Sequence, residues 1–577
     1  MKKQSFIVGA VILTLGGIIA KIIGAFYKIP LTNILGSSGM GIYYLIFPLY
    51  SIMLVLSSNG ISLALSKLVA GERVNKNKRN ETTYFQMAIL ITFAISFLCA
   101  VVLVLFCKNI STIQGNSNSI LGYIAIAPAL VCASMVAVIK GYFQGIENMI
   151  PSSIAMIFEQ IVKLIIGLIL SGAWLYRGVE YAVLGAICGV TISELITLFV
   201  MVFNYVWYKS KEDYKFFMRE KSGDVVQIEW KTKCVSHKAY LRHYPKKRRR
   251  YRQKLKIMYF YNDKEYLSKS TAFKNLIRFS LPSTLSSLIM PFISLVDSFV
   301  IINLFEKMGI TSITATSLYG LSNGVVSSLV SLPIIFTVAF STAVMPNVSS
   351  LSTNDSVDEL ENRSAFFIKI TWIIALLLFV GFIVFSKDII NILYGKGLSE
   401  KVIDEYTFSN RLLIVGSSTI IYNCLLSTLI ALLNGLNKPQ IPTIAMGVGA
   451  IVRFVVCYTL VLVPKINIFS VYISNAIFMF VACLICAVEL NKYINLSINV
   501  RRGIIYPLIV ALLSGGVGVG VSIALQSANI YLKLVVGVLT VVITYFGGIL
   551  LFGVFGAREK SYFPSIRIKK LFGKTKK

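Results

Sequence analysis

The sequence predicts an all-α polytopic membrane protein with about 14 transmembrane helices, arranged as two pseudo-symmetric six-helix halves plus two extra helices. Of its 577 residues, 56% are hydrophobic and only 14% are charged, whereas soluble proteins are about 45–50% apolar and about 25% charged. The apolar residues form long segments, and two groups of these segments resemble each other. This composition excludes soluble enzymes, secreted disulfide scaffolds and disordered chains.

Fourteen apolar segments are long enough to cross a bilayer, which takes about 20 predominantly apolar residues. The first continues past Pro30, which is too long for the apolar core of a signal peptide, so we expect it to be retained. The predicted spans cover residues 5–34, 41–66, 83–106, 120–145, 151–175, 181–208, 276–303, 314–347, 363–386, 406–434, 439–463, 468–490, 503–527 and 530–556.

The distribution of lysine and arginine predicts the orientation of these spans. With the N-terminus inside, the cytoplasmic segments carry 41 basic residues and the external loops carry eight. Because basic residues accumulate on the cytoplasmic side of a membrane, we expect both termini to lie in the cytoplasm.

Two strongly basic blocks stand beside apolar segments. Residues 209–278 contain 21 basic and seven acidic residues, and residues 558–577 contain eight and one. Such blocks predict contact with anionic membrane lipids, and no nucleic acid partner is expected. The predicted domains are the N-terminal half, the basic insertion, the C-terminal half, the last two helices and the basic tail, at 1–208, 209–275, 276–490, 491–557 and 558–577.

An internal repeat relates spans one to six to spans seven to twelve. Three matches share an offset of 290 residues: Gly145 with Gly435, Met156 with Met446, and Lys163 with Arg453. An even number of spans per repeat gives both halves the same orientation. Halves related in this way typically move about a central site in alternating access.

Cysteine and histidine give no sign of a metal or redox centre. The nine cysteines show no disulfide framework, and Cys483 and Cys486 stand in an apolar helix, where packing is expected. Cys234, His237 and His243 lack a second cysteine pair, so no zinc site is expected. We expect no cofactor, apart from a coupling ion that would be Na⁺ or H⁺.

Several cations lie inside the predicted spans, where an unpartnered charge costs at least about 2.5–3.5 kcal/mol. Lys21 and Lys28 share one helix face, and Lys21 is about 24 Å along the first span, although Lys28 is also placed to anchor at the interface. Lys163 and Arg453 occupy equivalent positions of the repeat and could face each other across a cavity. Two facing cations suit a diphosphate, because arginine grips phosphate with two donors.

The remaining intramembrane charges leave alternatives open. Glu159 stands four residues before Lys163, which favours an ion pair within the helix. Lys140 and Arg411 lie near span ends, where snorkelling is the default, and both are further candidates for binding an anionic substrate. The carboxylates of Glu194 and Asp297 are candidates for a proton or sodium site, or for neutralising a neighbouring cation.

Several motifs resemble the stage V sporulation protein B family of polysaccharide biosynthesis proteins, which is grouped with the MurJ-type lipid II flippases, the oligosaccharide flippases and the multidrug and toxin extruders. The resemblance covers most of the chain. Its motifs are GSSGMGIY at 36–43, PLY at 48–50, SNG at 58–60, SKLVA at 66–70, the Lys21/Lys28 pattern, Asp297 followed by Leu304 and Gly309, and the Asn434-Gly435 turn before Pro439.

This resemblance implies a bundle of two six-helix halves around a central cationic cavity in a bacterial cell membrane. It also implies a monomeric transporter that exports an undecaprenyl-diphosphate-linked saccharide, driven by ions or membrane potential. Lys21 and Lys28 would hold the diphosphate, and spans 13 and 14 would form a groove for the lipid tail. The connection 209–275 departs from the family, in which this loop is usually short.

Two other functions compete with a flippase. A multidrug or cation antiporter of the same superfamily would have a cavity dominated by acids, whereas cations dominate here. A membrane glycosyltransferase or polymerase would need catalytic acids in a sizeable external loop. The candidate loop, 387–405, has no recognisable catalytic spacing, and we expect no enzymatic activity. Its acids are Asp388, Glu400, Asp404 and Glu405.

Overall fold

The computed structural model is helical throughout the residues that it describes, and these contain no strand. The described residues are 6–75, 77–221, 267–353, 357–395, 397–398, 404–463, 466–495, 499–556, 559 and 562. The helices are α1 Phe6–Leu54, α2 Gly60–Val74, α3 Lys78–Ile113, α4 Ile120–Gly145, α5 Ile150–Trp174, α6 Val179–Lys221, α7 Lys269–Lys307, α8 Ser312–Gly320, α9 Ser327–Thr353, α10 Val357–Val384, α11 Ser386–Tyr394, α12 Glu405–Gly435, α13 Gln440–Val461, α14 Phe469–Asn491, α15 Tyr506–Ala524 and α16 Ile530–Leu551.

The described part of the chain has 13 helical stretches that are long and apolar enough to cross a membrane. The first of them, Val11–Val74, has 64 residues, or about 96 Å at 1.5 Å per residue, and therefore suffices for two crossings. It is kinked at Gly36, whose φ of 66° and ψ of −174° are available only to glycine. Counting this stretch as predicted spans one and two gives 14, and the multi-pass all-α prediction is confirmed.

The first compact unit comprises the described residues within 1–23, 45–113 and 117–296. Its helices α2, α3 and α6 pack on α4, and α5 packs on α6. Glycines permit this last contact, because a Cβ at Gly189 would lie 2.4 Å from the Cα of Gly167. Aromatic rings fill one part of the core, where the Phe85 ring centroid is 4.7 Å from that of Tyr142 and 4.5 Å from that of Tyr205.

The second compact unit comprises the described residues within 24–44, 114–116 and 297–577. Within it α9, α10 and α14 pack on α12, and α13 packs on α14. The last two helices, α15 and α16, pack on each other and on α10 around the buried rings of Phe385 and Tyr545. The hydroxyl of Tyr545 donates to the Ile373 carbonyl over 2.9 Å, which fixes α16 against α10.

The internal repeat is visible in the backbone at the ends of α4 and α12. The left-handed residues Glu147 (φ 58°) and Asn437 (φ 59°) follow the two helices at the offset of 290. The N–H of Asn148 donates to the Phe143 carbonyl, and the N–H of Lys438 donates to the Leu433 carbonyl. The same helix-capping turn therefore closes both helices.

Cys483 and Cys486 are buried in α14, in agreement with the packing role expected of them. The Sγ of Cys483 donates to the Tyr422 carbonyl over 3.2 Å. The Cys234, His237 and His243 group and most of the two basic blocks lie outside the described residues. Helix α6 continues to Lys221, beyond the predicted span end at 208.

Candidate functional site

In the first unit, charged side chains of α4 and α5 form an ion pair inside the membrane spans. The Lys140 Nζ lies 3.2 Å from the Glu159 Oε2, and both side chains are 18% exposed. The Gln160 amide donates to the other carboxylate oxygen of Glu159 over 3.1 Å. Lys140 is thus held by a carboxylate, rather than extending alone toward the interface as the snorkelling alternative required.

Glu194 of α6 lies close to this pair and is 7% exposed. The charges of Glu159, Lys140 and Lys163 all act on its carboxyl group. Its Oε2 is buried and, among the described residues, has no hydrogen-bond partner. The first unit therefore contains a cluster of two carboxylates and two lysines, which we call the N-cluster: Lys140, Glu159, Lys163 and Glu194.

The N-terminal part of α1 is fixed to α5 by a close helix contact in the same unit. A Cβ at Gly16 would lie 2.7 Å from the Cβ of Ser153, so only glycine fits. The Ser153 hydroxyl donates to the Ile12 carbonyl over 2.9 Å. Lys21, about one and a half turns beyond Gly16, is exposed on α1. An exposed lysine at this depth is best accommodated in water, since lipid exposure of its charge is costly.

Lys28 belongs to the second unit together with Tyr44. Its Nζ lies 5.4 Å from the centroid of the Tyr44 ring, within the range of a cation–π contact. The Lys28 side chain is half-buried. An aromatic neighbour of this kind holds the ammonium without neutralising its charge.

In the second unit, Arg453 of α13 forms a two-pronged ion pair with Asp297 of α7. Its Nη1 lies 2.9 Å from Oδ1 and its Nη2 lies 2.6 Å from Oδ2. The Arg453 side chain is only 6% exposed, and that of Asp297 is 15% exposed. Asp297 was a candidate either for an ion site or for neutralising a neighbouring cation, and this geometry favours the second role. Whether Lys163 and Arg453 face each other stays a prediction, because they belong to different units.

The two units obtain their carboxylates from different places, for a steric reason. Position 449 is the counterpart of Glu159 at the offset of 290, and it is a glycine. A Cβ at Gly449 would lie 2.8 Å from a ring carbon of Phe478 and 2.9 Å from its carbonyl oxygen. Because α13 and α14 approach so closely here, no carboxylate fits at 449, and Asp297 supplies it from another helix.

Sequence spacing could not identify these partners. Lys140 and Glu159 are 19 residues apart, and Asp297 and Arg453 are 156 apart, so neither pair shares a helix. The only sequence signal was the presence of charge in apolar segments. Arg411, the remaining predicted substrate contact, is exposed near the start of α12. The substrate-binding and coupling roles of all these residues stay predictions.

Other charges of the second unit have structural partners. Lys369 donates to the Val554 carbonyl over 2.6 Å and pairs with Glu559 at 2.8 Å, which ties the segment after α16 to α10. In the loop predicted to be external, Asp388 pairs with Lys533 at 3.1 Å. Asp404 accepts from the Thr407 N–H at the start of α12, and this contact lowers the pKa of its carboxyl.

Glu405, the next acid of this loop, accepts a hydrogen bond of 2.5 Å from the Ser37 hydroxyl. The fourth acid, Glu400, lies outside the described residues. The described acids of this loop thus cap a helix or hold neighbouring elements together.

Family profiles match two parts of the chain. Residues 6–224 match the family described as Polysaccharide biosynthesis protein, and residues 267–540 match the family described as Lipid II flippase MurJ. The chain is 22% identical to Stage V sporulation protein B of Bacillus subtilis (strain 168) over 503 residues, which cover 87% of this chain and 86% of the relative.

Solved structures share the fold. Lipid II flippase MurJ in an inward closed conformation aligns with a TM-score of 0.66 and 14% identity, covering 94% of this chain and 98% of the other. An inward-facing multidrug resistance MATE family transporter of the MOP superfamily aligns with a TM-score of 0.60 and 14% identity, covering 84% and 98%. The chain is therefore similar in sequence to Stage V sporulation protein B, to polysaccharide biosynthesis proteins and to MurJ-type lipid II flippases, and its fold is that of the solved MurJ and MATE transporter structures.

Proposed function

We propose that this protein is a flippase that moves an undecaprenyl-diphosphate-linked saccharide from the inner to the outer leaflet by alternating access. The observation that carries the proposal is the buried guanidinium of Arg453 within a membrane span. Arginine binds phosphate and carboxylate oxygens with the same two-pronged geometry, so a site that holds Asp297 also suits a diphosphate. Lys21 and Lys28, with Lys163, Lys140 and Arg411 assisting, would supply further positive charge.

Membrane potential would suffice to drive export of this substrate. Moving one elementary charge across 100 mV changes the free energy by about 2.3 kcal/mol, so a substrate with two negative charges gains about 4.6 kcal/mol. The N-cluster contains equal numbers of acids and bases, and Arg453 is balanced by Asp297. The empty protein would therefore return with little charge at these sites.

If an ion is coupled to transport, Glu194 is the better candidate for its site. Both oxygens of Asp297 already accept from Arg453, whereas the Oε2 of Glu194 is buried with no partner in the described chain. A proton on Glu194 would leave the N-cluster with one net positive charge. Proton binding at Glu194 would thus favour the binding of an anion nearby.

The partners of the external acids favour transport over catalysis. Asp388, Asp404 and Glu405 are each engaged in structural contacts, which leaves the described loop without a free pair of acids for glycosyl transfer. The acids within the spans are matched by cations, which fits an anionic substrate better than a cationic drug. We further propose a monomer with cytoplasmic termini and basic segments against anionic lipids.

The proposal is tested by reconstituting the full-length protein in liposomes with a fluorescent lipid-linked diphosphate saccharide in the inner leaflet. Lys21→Ala and Arg453→Ala should each reduce the initial flipping rate about ten- to a hundredfold, because a charge-assisted contact contributes roughly 1.5–3 kcal/mol. Lys307→Ala, at the exposed end of α7, is the matched control and should flip at the wild-type rate. Wild-type rates in both test variants would place the diphosphate elsewhere.

A further inference from the structure

We infer that Asp297 is an internal counter-anion that occupies the phosphate-binding donors of Arg453 and must leave them before substrate binds. This inference rests on the proposed function, in which Arg453 holds the diphosphate. It assigns Asp297 a role in setting substrate affinity, in place of an ion site.

The Asp297 carboxylate occupies the two-pronged end of the Arg453 guanidinium, which is the part that a phosphate would use. Both terminal nitrogens donate to the Asp297 carboxylate, at 2.9 and 2.6 Å. The third group, Nε, is buried and has no hydrogen-bond partner within the described residues. A phosphate can therefore bind the guanidinium only after the carboxylate has moved away or the site has opened around Nε.

The charges determine which anion Arg453 binds more strongly. The Asp297 carboxylate and a phosphate group are both anions and would repel each other at one guanidinium. A diphosphate carries more negative charge than the carboxylate and can also accept from the unpartnered Nε–H. It should therefore interact more strongly with Arg453 than Asp297 does. Asp297 thus protects a buried cation in the empty state and gives way to a more highly charged ligand.

A competing internal ligand lowers the apparent affinity for the external one by the fraction of time that the site is closed. If Asp297 closes the site about nine-tenths of the time, its removal should tighten binding about tenfold. Asp297→Asn is the most conservative substitution, because the amide keeps the size and shape of the side chain and removes its charge.

The experiment is isothermal titration calorimetry of the purified full-length protein in detergent, with farnesyl diphosphate as the probe. Farnesyl monophosphate and farnesol report how much of the binding comes from the diphosphate. Asp297→Asn should bind farnesyl diphosphate about tenfold more tightly than wild type, with a smaller gain for the monophosphate and none for farnesol. Asp388→Asn, which breaks the pair with Lys533 in the same unit, is the matched control and should bind like wild type.

The outcomes separate this inference from the proposed function. If Arg453→Ala binds farnesyl diphosphate as wild type does, the proposed diphosphate site is wrong. If Arg453→Ala loses binding while Asp297→Asn binds equally or more weakly, Asp297 positions Arg453 and the inference is overturned. Asp297→Ser is the second variant, and failure of both variants to give a monodisperse folded protein would show a purely structural pair, which also overturns the inference.

Discussion

Lys140 on α4 and Glu159 on α5 form an ion pair with 3.2 Å between Nζ and Oε2. Sequence spacing favours Lys163 as the partner of Glu159, because the two stand four residues apart on α5. The pair with Lys140 joins neighbouring helices, and Lys163 acts with it on Glu194. The charges of the first unit thus form one network, in which each substitution affects the others.

The first prediction concerns the energy of this pair. Lys140→Ala and Glu159→Gln should each destabilise the protein, and the double variant should lose less than the sum, because the second change relieves a charge stranded by the first. A coupling energy of about 0.5–3 kcal/mol is expected between contacting groups. Thermal unfolding in detergent measures it, with Arg363 and Glu359, a more exposed pair, as the comparison. Additive losses would mean that the pair contributes nothing.

Gly36 should be required for the kink in α1. Its backbone conformation (φ 66°, ψ −174°) costs any other residue about 1–3 kcal/mol. Gly36→Ala should therefore lower the unfolding temperature and slow transport. Gly71→Ala in α2 is the control, since its added Cβ would meet nothing within 4 Å and alanine favours helix. Equal behaviour of the two variants would show that the kink tolerates a side chain.

Flipping should respond to membrane potential. If the substrate leaves with two negative charges, an interior-negative potential should raise the initial rate and an interior-positive potential should lower it. Potassium gradients with valinomycin set the potential in proteoliposomes, and liposomes without protein give the background rate. A rate that is unchanged from −100 to +100 mV would exclude net charge movement in the limiting step.

Reporter fusions test the orientation inferred from the 41 basic residues on one side and eight on the other. Fusions at Tyr251 and at Lys577 should both report a cytoplasmic location. A fusion at Asn116, between α3 and α4, should report an external one. An external signal at either of the first two sites would contradict the 14-span topology.

The basic insertion should be dispensable for transport, because it interrupts the repeat and contributes no charge to the spans. Replacing 222–266 by a short Gly-Ser linker keeps all of α6 and the contact in which the Leu267 N–H donates to Asn80. Flipping in liposomes with anionic lipid should remain within about twofold of wild type. Loss of flipping in a protein that inserts normally would assign the insertion a role in transport.

The fold was predictable from the sequence, because bilayer thickness imposes the length of each apolar segment. Every predicted span corresponds to a candidate crossing, including the two that merge across Gly36. The end of α6 was not predictable from hydropathy. The apolar segment ends at 208, but the helix continues through polar residues to Lys221. The repeat was also predictable, and the turns at Glu147 and Asn437 give it a backbone counterpart.

The candidate site was predictable only as a set of charges. The sequence marked Lys140, Glu194, Asp297 and Arg453 because charge is rare in apolar segments. It could not pair them, because the partners are distant in sequence and meet only through helix packing. The contact of Gly449 with Phe478 is an example. The backbone of α13 lies so close to α14 there that no acidic side chain fits at position 449.

The glycine at 449 also makes the two repeats differ in how far a buried cation depends on distant parts of the chain. The repeats share one capping turn, but they balance a buried cation differently. In the first unit the acid stands at Glu159 on α5, whereas in the second the contact of Gly449 with Phe478 closes the equivalent position and Asp297 on α7 supplies the acid. The buried arginine of the second repeat therefore depends on a helix that lies 156 residues earlier in the chain, and it would be left without a counter-charge if that acid were lost.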